Sequence, residues 1–375
     1  MSAMKRHSMV TLNNSISDED IIDHINTRDY EIFSDEDNEI LDKISFHYTT
    51  EQIFLFDLTD QEINYLSRND KKKWNAYIVY RYKFKIYPVL RKRTKFPLHI
   101  LVELSSACNL RCVMCFQSDD SFQKAGKYIG TMDFNLFKNI IDQAQEGGTQ
   151  AITFASRGEP LFHNEIEKAL DYVKGKFTEI KINTNAMLLN DSKCHAILKN
   201  CNNLTLVFSV DAYTKELYEK IRVRGDFERV LGNIRNFNKI KNEFYPNANV
   251  VTRASGVIIS SQQDIDKLTE FWSNECDEVS FEKAEAMADT YNNDLISNSG
   301  ACNFLWENMY VWFDGKCNPC DLDYKSKLAF GNVKDNSIEE IWKSREIEEL
   351  RKKHLNGERY KVNPCDRCGV DFNLN

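Results

Sequence analysis

LHILVELSSACNLRCVMC (98–115) runs from an apolar, strand-like stretch directly into three cysteines, Cys108, Cys112 and Cys115, spaced three and then two residues apart. A structural zinc site takes four ligands, usually as two close pairs. Three thiols with no fourth nearby leave one metal position open, and an open position binds something. The alternatives are a chance grouping or a zinc site that borrows a distant ligand.

What surrounds this stretch sets its meaning. Apolar strand-like runs alternate with segments of helical period from about residue 97 onward. The runs are LHILVELSS, QAITFAS, EIKINTN, LTLVFSVD, NVVTRASGVII and EVSFEKA. Between them lie FNLFKNIIDQAQ, NEIEKALDYVKGK, SKCHAILKN, a helical pair over 214–241, and QDIDKLTEFWS. Six strand–helix units predict a parallel sheet with crossover helices, closing fully or in part into a barrel. In such folds the site lies beyond the C-terminal strand ends. The polar signatures CNLRCVMC, SRGEP, NTNA and SVDA follow the first four strands in turn.

The chain has 375 residues and a net charge of -8, with 42% hydrophobic and 28% charged residues. This length allows two domains or one large domain with appendages. The acidic balance argues against a general nucleic-acid binder. No apolar run reaches the length of a membrane span, and the N-terminus lacks the apolar core of a signal peptide. A cytoplasmic location is expected, where eleven cysteines point to metal and not to disulfides. Residues 1–70 carry short amphipathic helical pieces. The tract KKKWNAYIVYRYKFKIYPVLRKRTKF (71–96) is basic and aromatic. It is read as a helix with solvated cations, the alternative being contact with phosphate or an acidic partner.

C-x3-C-x2-C after the first strand of a six-unit barrel resembles the radical S-adenosylmethionine (SAM) superfamily. The resemblance implies that Cys108, Cys112 and Cys115 hold a [4Fe–4S] cluster whose fourth iron is chelated by SAM. Thiolate ligands and an open iron position agree with that chemistry. Reductive cleavage of SAM would then yield a 5′-deoxyadenosyl radical that abstracts hydrogen from an unactivated carbon. ASRGEPLFH resembles the family's GGEP motif. Glu159 and Gly158 match its Glu and second glycine and imply contact with the SAM amino group. Arg157 stands where the first glycine would be and is expected to place a cation near the pocket. Further SAM contacts implied by position are Met114 and Phe116 in the cysteine loop, Asn185 after the third strand, and Ser209 and Asp211 after the fourth. Arg222 is similar to the arginine that pairs with the SAM carboxylate.

The C-terminal quarter resembles the SPASM/Twitch auxiliary-cluster domain through Cys302, Trp306, Asp314-Gly315, Pro319-Cys320, Gly331-Asn332, Glu340-Ile341-Trp342 and Cys365/Cys368. The family skeleton puts its tryptophan on a strand. The resemblance implies one auxiliary [4Fe–4S] cluster on Cys302, Cys320, Cys365 and Cys368. A zinc ribbon is the alternative for these thiols. Cys317 is left over, as a spare ligand, a speculative hydrogen donor for an epimerase, or a structural thiol. Cys194, Cys201 and Cys276 are read as buried small hydrophobes.

The expected fold is α/β: a partial (β/α)6 TIM-like barrel (97–300) with a helical N-terminal extension (1–96) and a small SPASM/Twitch domain (301–375). The expected activity is oxidation or epimerisation of a sugar, nucleotide-sugar or other small metabolite, with flavodoxin or ferredoxin as electron donor. The alternatives are a peptide- or protein-modifying enzyme of the same fold and a non-catalytic metal-binding or redox-sensing regulator.

Overall fold

The structure is a computed structural model and describes residues 7–10, 16–27, 33–50, 56–200, 203–283, 290–296 and 299–370. Cys201 lies outside the described residues. The chain forms two compact units, one of Val10–Thr94 and one of Lys95–Asn375 together with Met1–Met9.

The larger unit is built on one open sheet. Its strands are β1 (His7–Val10), β2 (His99–Val102), β3 (Ala151–Phe154), β4 (Glu179–Thr184), β5 (Leu204–Ser209), β6 (Val250–Ile258), β7 (Glu278–Lys283), β8 (Asn308–Val311), β9 (Lys316–Asn318) and β10 (Gly331–Asn332). Their order is β1-β7-β6-β5-β4-β3-β2-β8-β9-β10. Strands β2 to β7 run parallel, each beside the next. Each apolar run of the sequence supplies one of these strands. The helices between them follow the helical segments, for example Phe134–Glu146, Asp191–Asn200 and Phe227–Phe244. Their apolar stripes bury residues such as Ile140, Ile197 and Ile234 on the sheet. This is the unclosed partial barrel expected from the alternation. Cys194 and Cys276 are buried in that core.

The C-terminal hairpin forms at Asp314-Gly315, with Gly315 at φ 88° and β9 antiparallel to β8. What the sequence did not indicate is that β8 also pairs parallel to β2, with Val102 opposite Val311. The auxiliary segment therefore extends the barrel sheet. Trp306 sits in a short helix, Phe304–Glu307, and not on a strand. The helix Ile338–Trp342 begins in the capping box between Ser337 and Glu340 that the sequence predicted.

The smaller unit is helical. Its helix Trp74–Val89 buries Trp74, Tyr77, Ile78 and Tyr82. Four cations of the basic tract, Arg81, Lys83, Lys85 and Lys92, are paired within the unit, while Lys71, Lys72 and Lys73 are exposed. Glu62 takes Arg81 and Lys85 at 2.5 Å each, and Asp37 and Glu36 take Lys83 and Lys92.

Candidate active site and auxiliary thiol site

The three cysteines of the loop after β2 line one cavity of about 380 Å³ at the C-terminal strand ends. The loop is braced from two sides. Arg111 N–H donates to Val223 O and Val113 N–H to Ile221 O, which ties the loop to the segment carrying Arg222. The Arg111 guanidinium holds Cys108 O and Leu110 O at 2.9 and 2.6 Å and donates to Gln123, which in turn donates to Gln117. Gln117 closes the brace by donating to Ser106 O and Arg157 O.

Each sulfur receives N–H donors. Leu110 N–H and Asn185 Nδ2 point at Cys108 Sγ, Arg222 Nη1 at Cys112 Sγ, and Gln117 N–H at Cys115 Sγ, at 3.4 to 3.9 Å. Burial pushes the Cys108 thiol up to about 11 and Cys115 to about 12. Such thiols stay protonated unless a metal takes the proton's place, while donors aimed at sulfur suit the thiolate form. The loop therefore fits a thiolate-bound cluster.

Of the other expected SAM contacts, Met114, Phe116, Gly158, Glu159, Asn185, Ser209 and Arg222 line this cavity; Asp211 does not. Asp211 is fully buried behind it and accepts from Val257 N–H at 2.8 Å. Its Oδ2 lies 2.7 Å from Arg222 Nε, an ion-pair contact whose N–H is not aligned as a hydrogen bond. Arg222 thus already has a carboxylate partner within the protein. Glu159 accepts from Thr184 Oγ1 at 2.7 Å, Asn185 N–H at 2.8 Å and Leu161 N–H at 3.0 Å, and these bonds join the ends of β3 and β4. Burial still holds its carboxyl above the usual carboxylate range. A Cβ on Gly158 would lie 2.4 Å from Ser105 O, so the glycine is required by backbone packing.

Arg157 lines the cavity, as expected for a cation near the pocket, but its charge is already taken. Its guanidinium is buried and paired with Glu103 at 2.7 and 2.6 Å, so the pocket gains no free cation. Nη1 donates to Tyr324 O at 3.0 Å, and the group lies over the Trp312 ring. This arginine ties the barrel to the auxiliary segment. Tyr324 adds a second tie by stacking on Phe116 at 4.9 Å.

The cavity also takes Asp321 and Leu322 from the auxiliary segment, which sequence reasoning missed. Asp321 directly follows Cys320, and that adjacency was its only signal. Burial raises its carboxyl above the ordinary range. Ser156 was missed too. It has φ 130°, a conformation few side-chain residues adopt, and its buried Oγ has no hydrogen-bond partner. Strained residues of this kind concentrate at functional sites.

Cys302, Cys320, Cys365 and Cys368 converge electrostatically. Cys320 senses Cys365 and Cys302, and Cys365 senses Cys302 and Cys368. Burial pushes the Cys302 thiol up to about 12. Four thiols supply the ligand number of one iron–sulfur cluster or of one tetrahedral zinc. Cys317 is elsewhere. It is fully buried in β9, its Sγ is 3.9 Å from Gly315 O, and it does not line the cavity.

A family model described as the radical SAM superfamily matches residues 102–271, and one described as an iron-sulfur cluster-binding domain matches 302–369. The chain is a radical SAM protein with a C-terminal SPASM domain. Its radical SAM domain brings a catalytic [4Fe–4S] cluster with SAM, and its SPASM domain an auxiliary iron–sulfur cluster. It is 30% identical over 187 residues to a cysteine-type anaerobic sulfatase-maturating enzyme of Clostridium novyi, covering 46% of each chain. It is 22% identical to the subtilosin biosynthesis protein AlbA of Bacillus subtilis, over 68% of this chain and 61% of that one. The radical SAM chain thus spans less than two thirds of either relative. Among solved structures it resembles Streptococcus suis SuiB bound to precursor peptide SuiA, with a TM-score of 0.56 at 14% identity over 97% of this chain and 96% of that one. It also resembles anSMEcpe with bound AdoMet, with a TM-score of 0.52 at 18% identity over 72% and 88%. No helix among the described residues is long and apolar enough to cross a membrane.

Proposed function

We propose that this chain is a radical SAM enzyme that modifies an unactivated C–H position on a side chain of a peptide or protein. The cavity volume carries this reading. At about 380 Å³ it lies at the lower end of ligand pockets, which run from about 300 to 1,000 Å³. With the cofactor in place, a substrate reaches in from the mouth with a small group, as one side chain of a longer chain does. The names of the sulfatase-maturating and subtilosin relatives support the same class.

When bound, the cluster and SAM supply the one-electron chemistry that removes a hydrogen atom from carbon. The chain's own residues do the rest. Cys108, Cys112 and Cys115 hold the cluster in a loop fixed by Arg111 and Gln117. Glu159, Asn185, Ser209 and Arg222 orient SAM, with Arg222 kept in place by Asp211. Asp321 and Leu322 from the auxiliary segment complete the cavity wall and bound the space left for the substrate.

The test is anaerobic reconstitution with SAM and dithionite, offering peptides encoded beside the gene in one arm and sugar and nucleotide-sugar metabolites in the other. A peptide that stimulates 5′-deoxyadenosine formation and changes mass supports the proposal. Stimulation by a metabolite alone overturns it in favour of small-molecule oxidation or epimerisation. No SAM cleavage in any arm favours a redox-sensing regulator.

A further inference from the structure

We propose that Arg359 is the built-in counter-charge of the auxiliary cluster and raises its reduction potential. The inference rests on Cys302, Cys320, Cys365 and Cys368 being that cluster's ligands. Four arginines are buried among the described residues: Arg157, Arg222, Arg351 and Arg359. Arg157 has Glu103, Arg222 has Asp211 and Arg351 has Glu348. Arg359, only 1% exposed, differs. Its Nη2 donates to Cys368 O at 3.2 Å, while its buried Nε and Nη1 have no hydrogen-bond partner. A guanidinium is always charged, and burying one without a partner is costly.

What lies beside it is the thiol group. Arg359 stands six residues before Cys365, its own hydrogen bond ends on Cys368, and its charge reaches the Cys302 and Cys365 thiols. Four thiolates around an iron–sulfur core form a negative site, and that site is the missing partner. The Arg359 Nε and Nη1 are left without a protein acceptor, in the charge environment of these thiols. Positive charge and N–H donation to sulfur favour the more negative, reduced state, so they raise the potential. At the catalytic thiols a buried arginine also stands beside a cysteine, Arg222 donating from Nη1 to Cys112 Sγ.

The experiment uses the full chain with Cys108, Cys112 and Cys115 replaced by Ala, so that only the auxiliary cluster reports. Parent, Arg359→Lys and Arg359→Met forms are reconstituted anaerobically, assayed for iron, and titrated redox-potentiometrically with detection by electron paramagnetic resonance. Arg359→Met is expected to make reduction at least tenfold less favourable, a drop of about 59 mV for one electron. Arg359→Lys should fall between it and the parent. Loss of iron from the Met form alone also supports the proposal, because charge is then what retains the cluster. Equal potentials in fully loaded parent and Met forms overturn it. So does misfolding of both variants by circular dichroism, which would make Arg359 a scaffold residue. A parent form that binds no iron at these thiols would instead refute the ligand assignment.

Discussion

Arg157 and Glu103 show how one departure from a motif is absorbed. The Glu103 side chain is fully buried, and its carboxylate accepts from the Arg157 guanidinium, Arg157 N–H and Phe313 N–H. Arg157→Met leaves that charge without its main partner and should destabilise the fold by about 3–5 kcal/mol. Adding Glu103→Gln should recover part of this, so chemical denaturation of the two single and one double variants should show less than additive losses. Asp323 is the matching case for pH. It is fully buried, and burial outweighs the bonds from Tyr291, Lys327 and Leu328 to raise its carboxyl from 3.8 to about 6. The folded state then binds more protons than the unfolded state between those values. Its contribution is therefore greatest below pH 4 and is lost as pH rises through 6, by roughly 3 kcal/mol. Asp323→Asn should flatten that slope in denaturation measured from pH 4 to 7. The three cysteines stand together in the sequence, and Glu159 and Arg222 were implied by the family resemblance; the structure places all five around one cavity. The partners of Arg157 were not legible in the sequence, because Glu103 and Tyr324 lie 54 and 167 residues away.

The elements were the most legible level. Short apolar runs became β2 to β7, and Ser337 with Glu340 marked a helix start, because both signals depend on near neighbours. Gly256 in β6 tests how tightly those elements meet. A Cβ there would lie 2.0 Å from Val210 O and 2.8 Å from Asp211 Oδ1. Gly256→Ala should cost about 1–3 kcal/mol through overpacking, and more if the strands cannot shift. It should also weaken SAM binding, since Asp211 holds Arg222. Calorimetric titration with SAM showing unchanged affinity would separate strand packing from the site. The pairing of β8 with β2 escaped sequence reading because a four-residue apolar run does not state which edge it joins.

At the scale of the whole chain, the helical unit carries its own core and its own internal charge pairs. Glu62→Ala removes the carboxylate shared by Arg81 and Lys85 and should lower that unit's stability by about 3 kcal/mol. Scanning calorimetry should show the change in a transition distinct from that of the barrel, with SAM affinity unaltered. A shift of every transition together would mean the two units melt as one. For protein engineers, the β2–β8 ladder makes this auxiliary segment a poor candidate for exchange as a free cassette. A graft from a homologue has to enter at the Val102–Val311 register. One residue gained or lost before Asn308 advances the inserted strand by about 3.3 Å and turns its inward side chains outward. Chimeras cut in the loop ahead of the helix Phe304–Glu307, with the length to Asn308 preserved, should keep both thiol sites loaded, whereas cuts that change that length should lose the second.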